Sequence, residues 1–223
     1  MENNKHIKTS DKYSLQGMVY DRIREDILNG VYKKDDELKE MTIGAELGVS
    51  RTPVREALRQ LELQGLVKII PNKGAYVIGI SNKDIKDIYE MRARLEGLCA
   101  RWATRNSTEK DILKLDEIAD LSEFHCLKQK YDKVLELDNQ FHELLYDMAD
   151  SQMLHRTMSD LHHNVEIIRK KTLASKNRAE ASIKEHRDII DAIKSKNEDK
   201  AEQYAVYHMN KTIENIEEQG LWK

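Results

Sequence analysis

Proline is almost absent: only Pro53 and Pro71 occur in 223 residues. Glycine is scarce too, and beyond residue 80 it occurs only at Gly97 and Gly220. So long a proline-free, glycine-poor stretch leaves little to build turns from and predicts a helical domain. Two lone cysteines, Cys99 and Cys126, exclude a disulfide framework and offer no zinc-finger spacing. No apolar run is long enough to span a membrane, and the polar segment Met1 to Asp11 has no signal-peptide core, so a cytoplasmic protein is expected. Aromatics make up 6% and charged residues 35%, which points to helices with heavily solvated outer faces. A formal net charge of −3 excludes a nonspecific polybasic binder, so any contact with nucleic acid must come from a local patch. Internal repeats and low-complexity segments are not evident.

The most informative segment runs from Gly48 to Arg59. Gly48 suits the tight turn that ends a helix, because it can adopt positive φ without steric cost. Ser50 is a good N-cap for the next helix. Pro53 falls in that helix's first turn, where N–H groups have no intrahelical partner. Since Pro53 has no N–H, the Ser50 hydroxyl must cap Thr52 or turn outward toward an acceptor such as phosphate. Val54, Leu58 and Leu61 form an apolar stripe, while Arg51, Arg55 and Arg59 recur on another face. Such an arginine stripe suits the major groove, where guanidinium groups can reach guanine edges bidentately. The plainer alternative is an amphipathic surface helix with solvated arginines, but the flanking segments argue against it. Leu38 to Leu47 supplies a preceding helix, with Ala45 small enough for close crossing. Leu66–Ile70 and Ala75–Ile78 read as strands around the turn Pro71-Asn72-Lys73-Gly74. With an opening helix from about Leu15 to Asn29, stopped by Gly30, the pattern is a winged helix-turn-helix over residues 11–80.

Residues 81–219 read as an antiparallel bundle of about six helices, which makes the fold class mainly α. The expected helices begin at a capping-box-like Ser81 and run to about Thr104, then from Ser107 to about Leu127. Further helices cover 131–149, 152–173, 178–194 and 198–218, with joints at Asn106, Asp150-Ser151, Asn177 and Asn197. On the third of these, Val134, Asp138, Phe141, Leu145 and Met148 form a buried stripe with His142 beside it. His186 shares a stripe with Ile183, Ile190 and Ile193, and His208 shares one with Ala201, Ala205 and Thr212. A buried carboxylate should be paired, protonated or metal-bound. One carboxylate and three imidazoles on three apolar faces suggest one shared metal site, against the alternative of core histidines bonded to neighbours. His6, His125, His155, His162 and His163 read as surface or packing residues, with His162 bordering the Met158, Leu161 and Val165 stripe.

The segment Leu47 to Leu58, with Leu61, Gly65-Leu66-Val67, Pro71 and Lys73-Gly74-Ala75, resembles the DNA-binding domain of the GntR family of bacterial transcription regulators. By matching position, the resemblance implies DNA contacts at Ser50, Arg51, Thr52, Pro53 and Arg55, with Lys73 and Gly74 at the wing tip. Met41 stands where some members have arginine. Asp138, His142, Glu185-His186 and His208 resemble the metal-site pattern of the FadR-type branch, whose C-terminal part is called the FCD domain. That branch implies a ligand-responsive regulator, not an enzyme, which binds a palindromic double-stranded operator as a homodimer, with repression the expected outcome. It implies a divalent metal at Asp138, His142, His186 and His208, with zinc, nickel and manganese all compatible. It also implies a small-molecule effector, expected to be a carboxylate. Ile88 to Arg92, with Leu95-Glu96, resembles the first helix of that domain, and Arg92 is the candidate second anchor; its alternative is an intrahelical pair with Glu96.

A different class remains open: a metal-dependent hydrolase or oxygenase bundle fused to a DNA-binding module. No His-Glu-x-x-His motif is present, and Glu185 is the one obvious spare carboxylate that could act as general base. A third possibility is a constitutive DNA-binding protein with a purely structural metal.

Overall fold

Ser14 caps the first described helix, α1 (Leu15–Leu28), its Oγ accepting from the Gly17 N–H at 3.0 Å. The computed structural model describes residues 14–221; His6 and residues 11–13 of the expected DNA-binding domain lie outside them. The chain divides between Ser81 and Asn82 into two units, each with its own apolar core.

In the first unit Val19, Ile23 and Ile27, one turn apart on α1, are buried, and Gly30 leaves the helix at φ +73°. There follow β1 (Glu37–Leu38), α2 (Glu40–Leu47), α3 (Arg51–Leu63), β2 (Val67–Ile70) and β3 (Gly74–Val77). Two expectations change here. Leu38 belongs not to a helix but to β1, which pairs antiparallel with β3 at Leu38↔Ala75, so the sheet has three strands in the order β1-β3-β2. A strand of two residues has no periodicity to read; its partner defines it. The small residue at the tight α2–α3 corner is Gly44, whereas Ala45 is exposed: a Cβ at Gly44 would lie 2.9 Å from the Val49 carbonyl oxygen. Gly48 ends α2 in the left-handed region at φ +66°. Val54, Ala57, Leu58 and Leu61 of α3 are buried together with Leu66, Val67, Ala75 and Val77 of the hairpin.

The second unit comprises α4 (Asn82–Asn106), α5 (Glu109–Leu127), α6 (Tyr131–Met148), α7 (Gln152–Asn164), α8 (Glu166–Leu173), α9 (Lys176–Lys194) and α10 (Glu198–Glu218). These are seven helices among the described residues, not six, because the expected helix 152–173 breaks at Val165 (φ −111°, ψ 12°). No glycine or proline marks the break; Val165 is 1% exposed, and its burial re-aims α8 into the bundle. Thr108, not Ser107, caps α5 in a reciprocal capping box with Asp111. Asn177 lies inside α9, which starts after Ser175. Ser151 and Asn197 cap α7 and α10. Gly97 lets α4 and α10 pack closely, since a Cβ there would meet Val206 Cγ2 at 2.8 Å. No described helix is long and apolar enough to cross a membrane.

The Gly44 contact is with backbone, which cannot swing aside. Gly44→Ala is therefore expected to destabilise the first unit by about 1–3 kcal/mol, as overpacking does, while Ala45→Gln at the exposed neighbour should stay within about 0.5 kcal/mol. Denaturant unfolding of both variants checks this.

Candidate metal centre and nucleic-acid interface

Helix periodicity brings His142 of α6, His186 of α9 and His208 of α10 to one point inside the second unit. Each offers a ring nitrogen within 4.8 Å of the other two, and all three residues are buried. Their orientation is held from outside. His142 Nδ1 lies 3.2 Å from Glu96 Oε2, and His208 Nδ1 lies 2.7 Å from Glu185 Oε2. An ionised carboxylate only accepts, so both imidazoles carry their proton on Nδ1 and keep Nε2 as a lone pair. His186 stacks on Phe141 at 3.9 Å between centroids and 14° between planes, and its Nε2 is buried without a hydrogen-bond partner among the described residues. Two carboxylate-backed imidazoles and one orphaned ring nitrogen form a donor set that fits a divalent cation.

Asp138 lies close by, with Oδ1 3.6 Å from His186 Nε2, but its Oδ2 accepts from Arg169 of α8. The structure thus joins the three histidines directly and sets Asp138 beside them in an ion pair. Burial alone would raise the Asp138 carboxyl, yet Arg169 and the surrounding imidazoles override it and hold the group far below the ordinary carboxylate range. Glu96 behaves alike: burial opposes its charge, but His142, Arg92 and the Tyr146 hydroxyl, which donates at 2.7 Å, keep it ionised. Glu185 takes two hydrogen bonds from Arg178, each 2.7 Å, besides that from His208. That leaves it unsuited to serve as the spare general base a hydrolase would need.

Beside the cluster is a small cavity of about 20 Å³, room for about one water-sized group, lined by Arg92, Arg169 and Arg178 with Thr172, Ser182, Thr212 and both His142 and His208. Arg92, 1% exposed, makes the i,i+4 pair with Glu96 at 2.7 Å, and its Nε has no partner among the described residues. The two readings of Arg92 therefore coexist: it is paired and it lines the cavity. His162 is no surface residue. It is buried, with Nδ1 facing Arg92 Nη2 at 3.2 Å and Nε2 set between Asn139 Oδ1 at 3.1 Å and the Arg169 Nη1 donor. His155 pairs with Asp147 at 3.2 Å, His163 is exposed, and His125 is half-buried.

Arg169, Arg178 and Glu96 were not among the sequence candidates. Spacing could have found two of them: Arg169 follows His162 by seven residues, and Arg178 precedes Glu185 by seven with Ser182 between. Both cysteines are buried, and burial pushes both thiols up, which makes them inert.

On the first unit, Arg51 and Arg55 open α3 on its exposed face, and Ser50 and Thr52 are exposed beside them. Ser50 occupies the N-cap position, yet its hydroxyl makes no capping bond. The usual N3 donor is missing because Pro53 stands at N3, so the hydroxyl is left facing solvent. Pro53 itself is half-buried. Met41 is 70% exposed at the start of α2. At the wing tip, Asn72 adopts φ +60° and Gly74 φ +114°, and Lys73 is exposed. A Cβ at Gly74 would meet Glu37 Oε1 at 3.2 Å.

Family models match both units: the gntR family of bacterial regulatory proteins over residues 15–77 and the FCD domain over residues 87–211. The chain is 29% identical to the HTH-type transcriptional regulator YdhC of Bacillus subtilis over 205 residues, 92% of this chain and 91% of that protein. It is 28% identical to the HTH-type transcriptional repressor RspR of Escherichia coli over 198 residues, 89% and 87% of the two. Among solved structures, that of E. coli McbR/YncC aligns with a TM-score of 0.73 at 20% identity, covering 92% of this chain and 98% of that one, a likeness of fold.

Burial lowers the imidazoles of His162, His186 and His208 below their ordinary value. In the metal-free protein they stay neutral while the unfolded chain takes up protons below about pH 6.5. Their contribution to stability is therefore complete above that pH and is lost as pH falls, by about 1.4 kcal/mol per pH unit for each histidine. Unfolding of metal-free His186→Gln between about pH 6 and 5 should show a slope shallower by about one proton; an unchanged slope would mean that His186 is not held neutral.

Proposed function

The chain belongs to the GntR family of bacterial regulatory proteins, its DNA-binding domain followed by an FCD domain, and from that premise we propose that it is a homodimeric repressor of a palindromic operator, released by a small carboxylate at a metal site in the helical unit. The family is one of DNA-binding transcription regulators, not enzymes. The observation that carries the effector reading is the meeting of His142, His186 and His208 with an orphaned His186 Nε2, next to a cavity lined by three arginines.

His142, His186 and His208 would hold the cation through ring nitrogens, with the Asp138 carboxylate as fourth ligand. Imidazole and carboxylate suit zinc, nickel or manganese. When bound, the ion supplies a Lewis-acidic anchor for an anionic oxygen. Charge supports an acidic effector. Arg92, Arg169 and Arg178 are matched by Glu96, Asp138 and Glu185, three against three, so a divalent cation leaves an excess of two positive charges. A carboxylate offsets half of that excess and a dicarboxylate all of it, with Arg92 as second anchor and Thr172 or Thr212 as hydroxyl partners.

On DNA, Arg51 and Arg55 would read bases in the major groove, while Ser50, Thr52, Pro53, Lys73 and Gly74 sit against the backbone and groove edge. Two recognition helices in successive major grooves account for a palindromic site. The chain's similarity to the repressor RspR supports repression as the outcome.

Linkage supplies the test. An operator is first selected from a randomised duplex library, and a panel of organic acids is then titrated into metal-loaded protein with and without it. The effector should weaken operator binding by the same factor by which operator weakens effector binding, within 1–3 kcal/mol of coupling, or about 5- to 150-fold. If every acid that binds the histidine cluster leaves operator affinity unchanged, the metal is structural and the switch is wrong. In the same preparation, alanine at Asp138, His142, His186 and His208 together should abolish the metal stoichiometry seen in the wild type.

A further inference from the structure

The two arginines that head α3 are not free in this structure; one carboxylate holds both. Glu40, the first residue of α2, accepts from Arg51 Nε at 3.1 Å and Nη2 at 3.0 Å, and from Arg55 Nε and Nη2 at 2.9 Å each. Its side chain is 25% exposed, against 60% and 47% for those of the arginines. Hydrogen bonds from Arg55, together with those from Arg51, hold the Glu40 carboxyl below its ordinary range although partial burial opposes this, so Glu40 remains anionic.

The choice of edge matters. A guanidinium carries five N–H donors in a planar fork. Arg51 and Arg55 both spend the Nε–Nη2 edge on Glu40, which leaves the Nη1 donors and the outer Nη2 donor without a hydrogen-bond partner among the described residues. That remaining edge is the one with two parallel donors at the tip of the side chain, suited to guanine O6 and N7. Glu40 thus removes rotamer freedom from two long side chains while leaving their reading edges open, and it cancels one of their two charges.

An isolated ion pair at a surface contributes little to stability, and here the fold has no need of it. Ile43 of α2 and Val54, Ala57 and Leu58 of α3 bury the contact between these helices. A carboxylate on a DNA-facing surface also repels phosphate, so affinity alone gives no reason for it. We propose that Glu40 is a positioning residue that sets sequence specificity: it fixes Arg51 and Arg55 as a paired reading head and restrains them from nonspecific phosphate contacts. This rests on the proposal that these arginines read bases.

The test uses the full chain with two probes: the duplex selected from the randomised library and a scrambled duplex of equal length and composition. Glu40→Gln should bind the scrambled duplex more tightly than wild type, with a steeper salt dependence of about one additional phosphate contact. Its ratio of selected to scrambled affinity should fall by about tenfold, within the range of one bidentate arginine–guanine pair. Its thermal midpoint should be unchanged. Glu40→Asp retains the charge but shortens the reach, so it should keep wild-type affinity for scrambled DNA and still lose discrimination; it carries the test should Glu40→Gln fold poorly. Wild-type ratios and salt slopes in both variants would overturn the proposal. Arg55→Ala separates the two layers. If it loses discrimination while the Glu40 variants do not, the role of Glu40 alone is wrong. If Arg55→Ala also discriminates as wild type does, base reading by α3 fails and the role of Glu40 falls with it.

Discussion

A charge inside a helical bundle survives only beside its opposite, and the centre of the second unit is arranged around that requirement. Arg92, Arg169 and Arg178 are each almost wholly buried, and each meets a buried carboxylate: Glu96, Asp138 and Glu185. Removing one member of such a pair leaves an uncompensated buried charge, typically at a cost of about 3–5 kcal/mol. Two of the three carboxylates do more than neutralise. Glu96 and Glu185 also take the Nδ1 protons of His142 and His208, and so turn the opposite ring nitrogens inward. The ionic network and the orientation of the imidazoles are therefore one arrangement. The break at Val165 serves it too, since α8 is the element that carries Arg169 to Asp138.

The first unit uses charge in the opposite place. Its core is apolar, from Val19 on α1 to Val77 on β3, while Glu40, Arg51 and Arg55 are ordered on the surface. Order in the bundle is maintained by the penalty for unpaired buried charge. Order on that surface must come from geometry, because solvent screens each pair. A protein of formal net charge −3 cannot hold DNA by overall attraction, so its local arginines must be well aimed.

Much of this was legible in the residues. Gly48, Ser50 and Pro53 announced the turn and the helix after it, and the stripes on α6, α9 and α10 placed Asp138, His142, His186 and His208 inward. What escaped notice has physical causes. β1 is two residues long and exists through its pairing with β3. The break between α7 and α8 follows from the burial of Val165, with no local breaker. On charged helices Arg169 and Arg178 read as ordinary solvated positions unless their seven-residue spacing from His162 and Glu185 is noticed, and the packing of α8 and α9 is what places them inside. Gly44 and Ala45 differ by one position on α2, and sequence alone could not decide which faces the corner.

The proposed switch requires a cation held by the Nε2 lone pairs of three oriented imidazoles. Crystals of the protein purified without chelator, with anomalous differences recorded at the absorption edges of zinc, nickel and manganese, examine this directly. The prediction is one strong peak within coordination distance of His142, His186 and His208, with Glu96 and Glu185 still on the Nδ1 atoms of His142 and His208. An absent peak in protein that binds its operator and effector, or one coordinated through those Nδ1 atoms, would contradict it.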